Sequence, residues 1–407
     1  MTRDGRRTAT RCDVLVVGGG ASGLASAIAA ARQGARVTVL EARDRVGRKL
    51  LRTGNGRCNL TNTAVDPQAY NDPDFVSPVL GRWPTARVLE FFEGLGLLVH
   101  ADDRGRVFPR TDAASSVLDV LRLSCEQLGV QTLCGRQVVG VDVGGGQGRF
   151  VAHADGGETY VSPALVLATG DQSDLCSQLG HRRTKRRRVL CPLACERDAL
   201  KGLEGVRVDA RARLLRGDEL VDEAAGEVLF KRDGVSGIPM LDFSRHVADG
   251  DVVLLDLFPD VELDELEALL ARRGQKLAWR TPDTFLAGML QSRVALAVRR
   301  QARLAHPAPD APACFGDASP ASLARAMKGY RLEVVGPGDP RSAQVTAGGL
   351  RTDEFDPDTL QSRRTSGLYA TGEVLDVDGR CGGFNLHWAW ASGLVAGSNA
   401  ARVSVRG

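Results

Sequence analysis

The hydrophobic pattern opens with an apolar run over Cys12–Val17 (CDVLVV), which predicts a buried strand. Ala21 to Gln33 follows as a helix of small residues, with Gly34 placed as its C-cap. Arg36–Leu40 (RVTVL) predicts a second strand that ends at Glu41. These three elements make a β-α-β unit of about 30 residues, the length such a unit needs. Gly47–Asn62 is glycine-rich and polar, and shows no period. Helical spacing returns over Thr85–Gly94 and Ala113–Leu128. Gln137–Val143, Arg149–Ala154 and Glu158–Val161 alternate as short strands, with Gly144–Gly148 (GGGQG) as a hairpin turn. Ala164–Ala168 (ALVLA) is a further buried strand, closed by Thr169 and Gly170.

The pattern changes near Arg188. Short alternating strands run from Val189 to about Asp256, among them Val206–Leu215 and Val252–Leu257. Helical spacing fills Glu262–Gln301, in ELDELEALLARR and in the segment that starts FLAGMLQSRV. His306–Pro320 is a proline-rich connector, strands resume near Tyr330, and Leu386–Val403 predicts a helix. The chain therefore reads as an α/β domain, residues 12–188 and 344–407, interrupted by an insert, residues 189–343. The insert is β-rich over 189–258 and helical over 259–330, and residues 1–11 form a flexible tail.

Composition narrows the class. A chain of 407 residues with 43% hydrophobic and 25% charged residues builds a sizeable core, which excludes a disordered chain or a coiled coil. A net charge of +3 creates no overall field that demands nucleic acid or acidic lipid. Nine cysteines without paired or metal-type spacing point to a reduced, cytoplasmic protein without a metal site. Cys191 and Cys195 (CPLAC) read as core for the same reason. Val14–Ala31 is uncharged and follows Arg6 and Arg7, yet its four clustered glycines favour strand, turn and helix over a membrane span.

Gly18, Gly20 and Gly23 form GxGxxG between the first strand and helix. Gly18 serves the tight turn, Gly20 lets backbone approach a pyrophosphate, and Gly23 lets helix and strand pack closely. The helix start then faces the phosphates. Glu41, at the end of the second strand, suits both ribose hydroxyls of an adenosine and repels a 2′-phosphate. The C-terminal part selects FAD over NAD. A short strand, Leu368–Thr371, runs into Gly372 and Glu373, where a carboxylate can bind a ribityl hydroxyl. Gly382 and Gly383 precede a helix beginning near Asn385, whose start can stabilise negative charge on reduced flavin.

Five blocks carry a resemblance: GGGASG (Gly18–Gly23), GRKLLRTGNGRCNLTN (Gly47–Asn62), GRVFP (Gly105–Pro109), GEVLFKRDGVSGIPMLDFS (Gly226–Ser244) and Gln344–Gly397. Together they resemble the BaiN/RdsA (YhiN-like) family of FAD-dependent oxidoreductases over nearly the whole chain. The resemblance implies a glutathione-reductase-like Rossmann FAD domain, made from both chain ends, with an inserted β-barrel plus helical domain. It implies non-covalent FAD held by Gly18, Gly20, Ala21, Ser22, Gly23, Glu41, Ala42, Arg43, Arg48, Lys49, Gly56, Arg57, Cys58, Asn59, Val138, Thr169, Gly170, Gly372, Glu373, Gly383, Phe384 and Asn385. GNGRCN would bring Arg57, Cys58 and Asn59 near the isoalloxazine.

The implied reaction is reduction of a conjugated double bond by hydride from flavin N5, with NAD(P)H as donor. Catalytic candidates are Cys58, Asn59 and His387. A dithiol mechanism lacks a CxxxxC motif, so Cys58 reads chiefly as structural or flavin-contacting, with an approach to Cys381 left open. An amine oxidase passing electrons to oxygen is the second reading, since no second GxGxxG offers a separate NAD(P)H site. A flavin-bearing nucleic-acid-binding protein is the third, resting on HRRTKRRR, His181–Arg188, but aromatic residues are missing from that run. The chain departs from the family after Gly170, where Asp171 stands and only nine residues precede Gly180. That shortening predicts a wider opening rimmed by Arg182, Arg183 and Lys185–Arg188, suited to a bulky or anionic small molecule. Lys231 and Arg232 add charge where relatives commonly carry none.

Overall fold

The computed structural model describes residues 9–144, 149–170, 175–305 and 312–404. The chain forms two compact units, one from residues up to Arg187 together with those from Val345 on, the other Arg188–Gln344.

The first unit is built on a five-stranded parallel sheet in the order Leu368–Ala370, Ala164–Leu167, Val14–Val17, Val37–Glu41, Gln131–Cys134. The three inner strands are buried almost throughout, which is why they read as continuous apolar runs and not as alternations. Both chain ends supply this sheet, since Leu167 registers with Val17 on one side and Ala370 on the other.

The helix Ala21–Ala31 packs on the C-terminal helix Phe384–Ser404. A Cβ at Gly393 would lie 2.5 Å from the Ser22 carbonyl oxygen, and one at Gly397 2.1 Å from that of Ser26. Small residues at i and i+4 thus let the two backbones touch, and Ser26 Oγ donates to the Gly393 carbonyl across the contact at 3.0 Å.

A second sheet pairs Val138–Gly144, Arg149–Ala154 and Thr159–Ser162 antiparallel. Thr10–Arg11 adds to its edge, parallel to Thr159–Ser162, so residues 10 and 11 are strand and not tail. The rest of the GGGQG turn after Gly144 lies outside the described residues, as do residues 1–8 and Asp171.

Gly47–Asn62 is more ordered than its composition suggests. It holds a 3-10 segment, Leu50–Gly56, broken at Thr53–Asn55, and the strand Thr61–Asn62, which pairs with Arg106–Pro109. The helix Pro73–Arg82 escapes sequence reading because Pro78 stands inside it. Its start is well defined, with Asp72 accepting from the Phe75 N–H at 3.1 Å.

The run His181–Arg188 is not uniformly solvated. His181 is buried, stacked on Phe355 at 4.8 Å, with Nδ1 2.8 Å from Glu354 and Nε2 3.0 Å from Ser362 Oγ. Burial raises the Glu354 pKa, but hydrogen bonds from Arg182 and His181 outweigh it and bring the carboxyl down to about 2.

In the second unit, six strands close a barrel: Leu193–Cys195, Gly234–Ser236, Glu219–Lys231, Arg207–Arg216, Val252–Asp256 and Tyr330–Pro337. Tyr330–Pro337 alternates strictly between buried and exposed, as a barrel wall requires. The β-rich part is therefore not confined to 189–258, because the closing strand comes after the helices. Those helices are Leu263–Lys276, Ser292–Ala305 and Pro320–Lys328. Phe285–Gln291, expected to be helical, is turn, with Gly288 at φ +87° interrupting any helix. In the connector, residues 306–311 lie outside the described residues, and Ser319 caps the helix that starts at Pro320.

Among the described residues no helix is long and apolar enough to cross a membrane, and no group of His, Cys, Asp and Glu is arranged to hold a metal.

Candidate cofactor and active site

The glycine turn at the carboxyl end of the first sheet strand is fixed by contacts that no side chain tolerates. Gly18 has φ +111°, and a Cβ there would lie 2.3 Å from the Ala168 carbonyl oxygen. A Cβ on Gly23 would lie 1.9 Å from the Gly18 carbonyl oxygen. Gly20 differs, because nothing lies within 4 Å of a Cβ placed on it. That space fronts the start of Ala21–Ala31, which has no side-chain cap. An open front before uncapped N–H groups fits a pyrophosphate.

Glu41 organises its own surroundings. Its Oε2 accepts from the Gly19 N–H at 2.8 Å and its Oε1 from the Arg43 N–H at 2.8 Å. Two further lone pairs stay available for ribose hydroxyls. The following segment closes alongside, with Arg136 N–H on the Glu41 carbonyl at 2.9 Å and Val138 buried just beyond. Ala42 and Arg43 are exposed, and Arg48 pairs with Asp44 at 3.3 Å.

Residues far apart in sequence meet next to this turn. A Cβ on Gly372, at φ +69°, would lie 2.5 Å from Ser22 Oγ, and one on Gly170 3.7 Å from Glu373 Oε2. Glu373 forms an ion pair with Lys49 and accepts from the Thr346 N–H at 3.0 Å. Thr169 Oγ1 is buried without a hydrogen-bond partner.

A third group gathers at the start of the C-terminal helix. Gly382 and Gly383 have φ +123° and +106°, and a Cβ on Gly383 would lie 2.4 Å from the Thr61 carbonyl oxygen. The same Cβ would lie 2.9 Å from Asn59 Oδ1, a buried acceptor without a partner. Two orphaned polar atoms, the open front at Gly20 and the uncapped helix together fit an extended dinucleotide such as FAD. Phe384 is partly buried edge-on to Tyr70, with ring centroids 6.2 Å apart. Asn385 stands at the start of the same helix. Its amide clasps the backbone of Gly379, accepting from N–H at 2.9 Å and donating to the carbonyl at 2.8 Å.

Two of the catalytic candidates are structural by their surroundings. Cys58 is fully buried, and burial pushes its thiol up to about 12, so no thiolate forms at neutral pH. Neither Cys58 nor Cys381 is in a disulfide. His387 is fully buried. Its Nε2–H donates to the Trp83 carbonyl at 3.0 Å, and Nδ1 accepts from the Thr61 hydroxyl at 2.7 Å. Burial lowers its pKa to about 4. A folded-state pKa below the unfolded value of about 6.5 means stability is present above that pH and falls as pH drops towards 4. His387→Gln should flatten this loss between pH 6.5 and 4, read as the temperature of thermal unfolding. An unchanged pH slope in the variant counts against it.

One constellation was missed in the sequence. Arg57 stacks on Phe108, its guanidinium carbon 4.3 Å from the ring centroid. Nη2 and Nε donate to Asp112 Oδ1 at 2.6 and 3.0 Å, and His100 Nε2 lies 3.2 Å from the same oxygen. GRVFP, which contains Phe108, was the available signal, but nothing local links it to Arg57.

The family described as HI0933-like protein Rossmann domain matches residues 12–399. The chain is 37% identical, over 95% of its length and 98% of the relative's, to 3-dehydro-bile acid delta(4,6)-reductase of Clostridium scindens. It is 29% identical to ribosomal RNA dihydrouridine synthase of Escherichia coli, over 94% of this chain and 96% of that one. The Haemophilus influenzae protein of the same name is 27% identical, over 95% and 98%. With a family match spanning both halves of the Rossmann unit and a relative similar over almost its full length, the chain belongs to the HI0933-like family and is an FAD-dependent oxidoreductase.

Proposed function

We propose that the protein reduces a carbon–carbon double bond conjugated to a carbonyl in a small-molecule acceptor, with NAD(P)H as electron donor. The observation that carries this reading is the 37% identity, over nearly the full length of both chains, to a delta(4,6)-reductase. FAD held in this site would supply the two-electron chemistry that links NAD(P)H oxidation to hydride addition at the β-carbon of the acceptor. The α-carbon takes a proton, so NAD(P)H becomes NAD(P)⁺ and the alkene becomes an alkane.

The chain's own residues bind and orient. The open turn at Gly20 and the helix start hold the diphosphate, while Glu41 and Glu373 supply carboxylates for ribose and ribityl hydroxyls. Thr169 and Asn59 each offer a buried acceptor that lacks a partner within the protein. Neither Cys58 nor His387 is placed to move a proton to the acceptor, because both are sealed from solvent.

A second reading keeps the chemistry and changes the acceptor. The C5=C6 bond of uridine is likewise conjugated to a carbonyl, and two relatives are named ribosomal RNA dihydrouridine synthases. Lys185–Arg188 are exposed, as a phosphate-binding run would need to be.

Anaerobic mixing separates these readings. NADH or NADPH should bleach the flavin, and a 4,6-dien-3-one steroid should restore its colour faster than oxygen does. Restoration only by oxygen, with an amine as donor, would establish an oxidase instead. Restoration by RNA, with dihydrouridine found by mass spectrometry and loss of the effect at high salt, would establish the second reading.

A further inference from the structure

We propose that Arg57, clamped by Asp112 and Phe108, is the group that takes the carbonyl oxygen of the acceptor. The proposal rests on the reading above that the acceptor is a carbonyl-conjugated alkene, and it assigns the polarising residue for it.

Four observations support it. First, the guanidinium is preorganised. One face lies on the Phe108 ring, and one edge is held by Asp112 through Nε and Nη2. Fixing a long side chain this way removes the entropy cost of aiming it at a ligand. Second, donors remain. Of its five N–H groups only two meet Asp112, and Nη1 has no acceptor among the described residues. The side chain is 44% exposed, so those donors are open to a ligand. Third, the same turn carries Asn59, whose buried Oδ1 is orphaned beside Gly383. Fourth, the backbone is strained here. Asn55, Cys58 and Asp112 are three of five non-glycine residues with positive φ among the described residues, at +55°, +59° and +51°. Strain of this kind concentrates where a side chain must be held against its local preference.

The charge balance identifies the ligand class. Arg57 faces Asp112 directly, and Arg106, the next cation over Phe108, is paired with Asp102 at 2.6 Å. A cation already neutralised by a carboxylate is a weak site for a full anion. It remains a good hydrogen-bond donor to a neutral carbonyl that gains negative charge as hydride arrives at the β-carbon. Asp112 acts through Arg57 and is a positioning residue. His100 Nε2 shares its oxygen at 3.2 Å.

The test uses FAD-loaded enzyme, first reduced by dithionite and then mixed with a 4,6-dien-3-one steroid or with uridine. Arg57→Gln should slow flavin reoxidation, measured per bound flavin, by on the order of 10²-fold, as loss of one transition-state hydrogen bond does. Arg57→Ala should recover part of its rate when free guanidinium is added, and Asp112→Ala should not. Asp112→Asn, which tolerates the positive φ, should lose about tenfold in rate with little change in KM, because the charge-assisted clamp is gone. Reoxidation by the acceptor at the wild-type rate in Arg57→Gln overturns the proposal. Sulfite titration of the oxidised enzyme is a second arm, independent of any acceptor. Sulfite addition leaves the flavin ring negatively charged, and open N–H donors stabilise that developing charge as they do a carbonyl oxygen that gains charge, so Arg57→Gln should weaken sulfite binding about tenfold. Should neither acceptor reoxidise the wild-type protein, the functional reading fails and the sulfite arm decides alone, with unchanged affinity overturning the assignment of Arg57.

Discussion

Gly23→Ala is expected to leave the purified protein without bound flavin and far less stable than the parent. The added Cβ would sit 1.9 Å from the Gly18 carbonyl oxygen and 3.2 Å from the Ala168 side chain. Neither neighbour is free to give way. Gly18 is held by donation to the Leu40 carbonyl at 2.8 Å, and it is packed so closely on Ala168 that a Cβ on it would lie 2.3 Å from that carbonyl oxygen. Overpacking typically costs 1–3 kcal/mol, and a clash against fixed backbone belongs at about 3 kcal/mol or more. The helix would have to lift from the sheet, which displaces the N–H groups that face the diphosphate. Gly20→Ala is the matched control, since its Cβ meets nothing within 4 Å. As apoprotein that variant should keep the parent apoprotein's melting temperature, yet bind FAD more weakly, because the methyl group takes the space in front of the helix. Equal melting temperatures for Gly23→Ala and the parent would show that the close approach is not the reason for glycine here.

Glu41→Ala is expected to weaken FAD binding by about 1.5–3 kcal/mol, the range for a hydrogen bond to a charged group, or roughly 10- to 150-fold in Kd. The effect has two parts. The ribose hydroxyls lose an acceptor, and the N–H groups of Gly19 and Arg43 lose theirs as well. The second part loosens the turn even before cofactor arrives. Glu41→Gln, which keeps one acceptor oxygen, should fall between alanine and the parent. Titration of apoprotein with FAD, followed by flavin fluorescence, measures both. Unchanged affinity in Glu41→Ala would remove the carboxylate from the site.

The β-α-β unit, the glycine turn and the acidic end of the second strand are legible in the chain's pattern alone. Each is a local matter, in which a buried apolar run, a turn that excludes Cβ atoms and a helix of small residues lie within about 30 residues of one another. Sequence blocks also carried the resemblance to a flavoprotein family, and with it the expectation of a barrel. Which distant segments complete each part emerges only once the chain is folded. Gly393 and Gly397 show their purpose only against Ser22 and Ser26, more than three hundred positions away. The barrel closes through Tyr330–Pro337, which sequence order separates from its partners by three helices. Cys58 and His387 stand in the sequence as catalytic candidates, Cys58 chiefly as a structural or flavin-contacting one, and only the fold shows that burial raises one pKa and lowers the other, since a low-dielectric interior disfavours the charged form of each. Arg57 finds Asp112 from a different loop, 55 residues on. Burial and partner choice are set by which surfaces close over a residue, and that depends on chain segments that no local window contains.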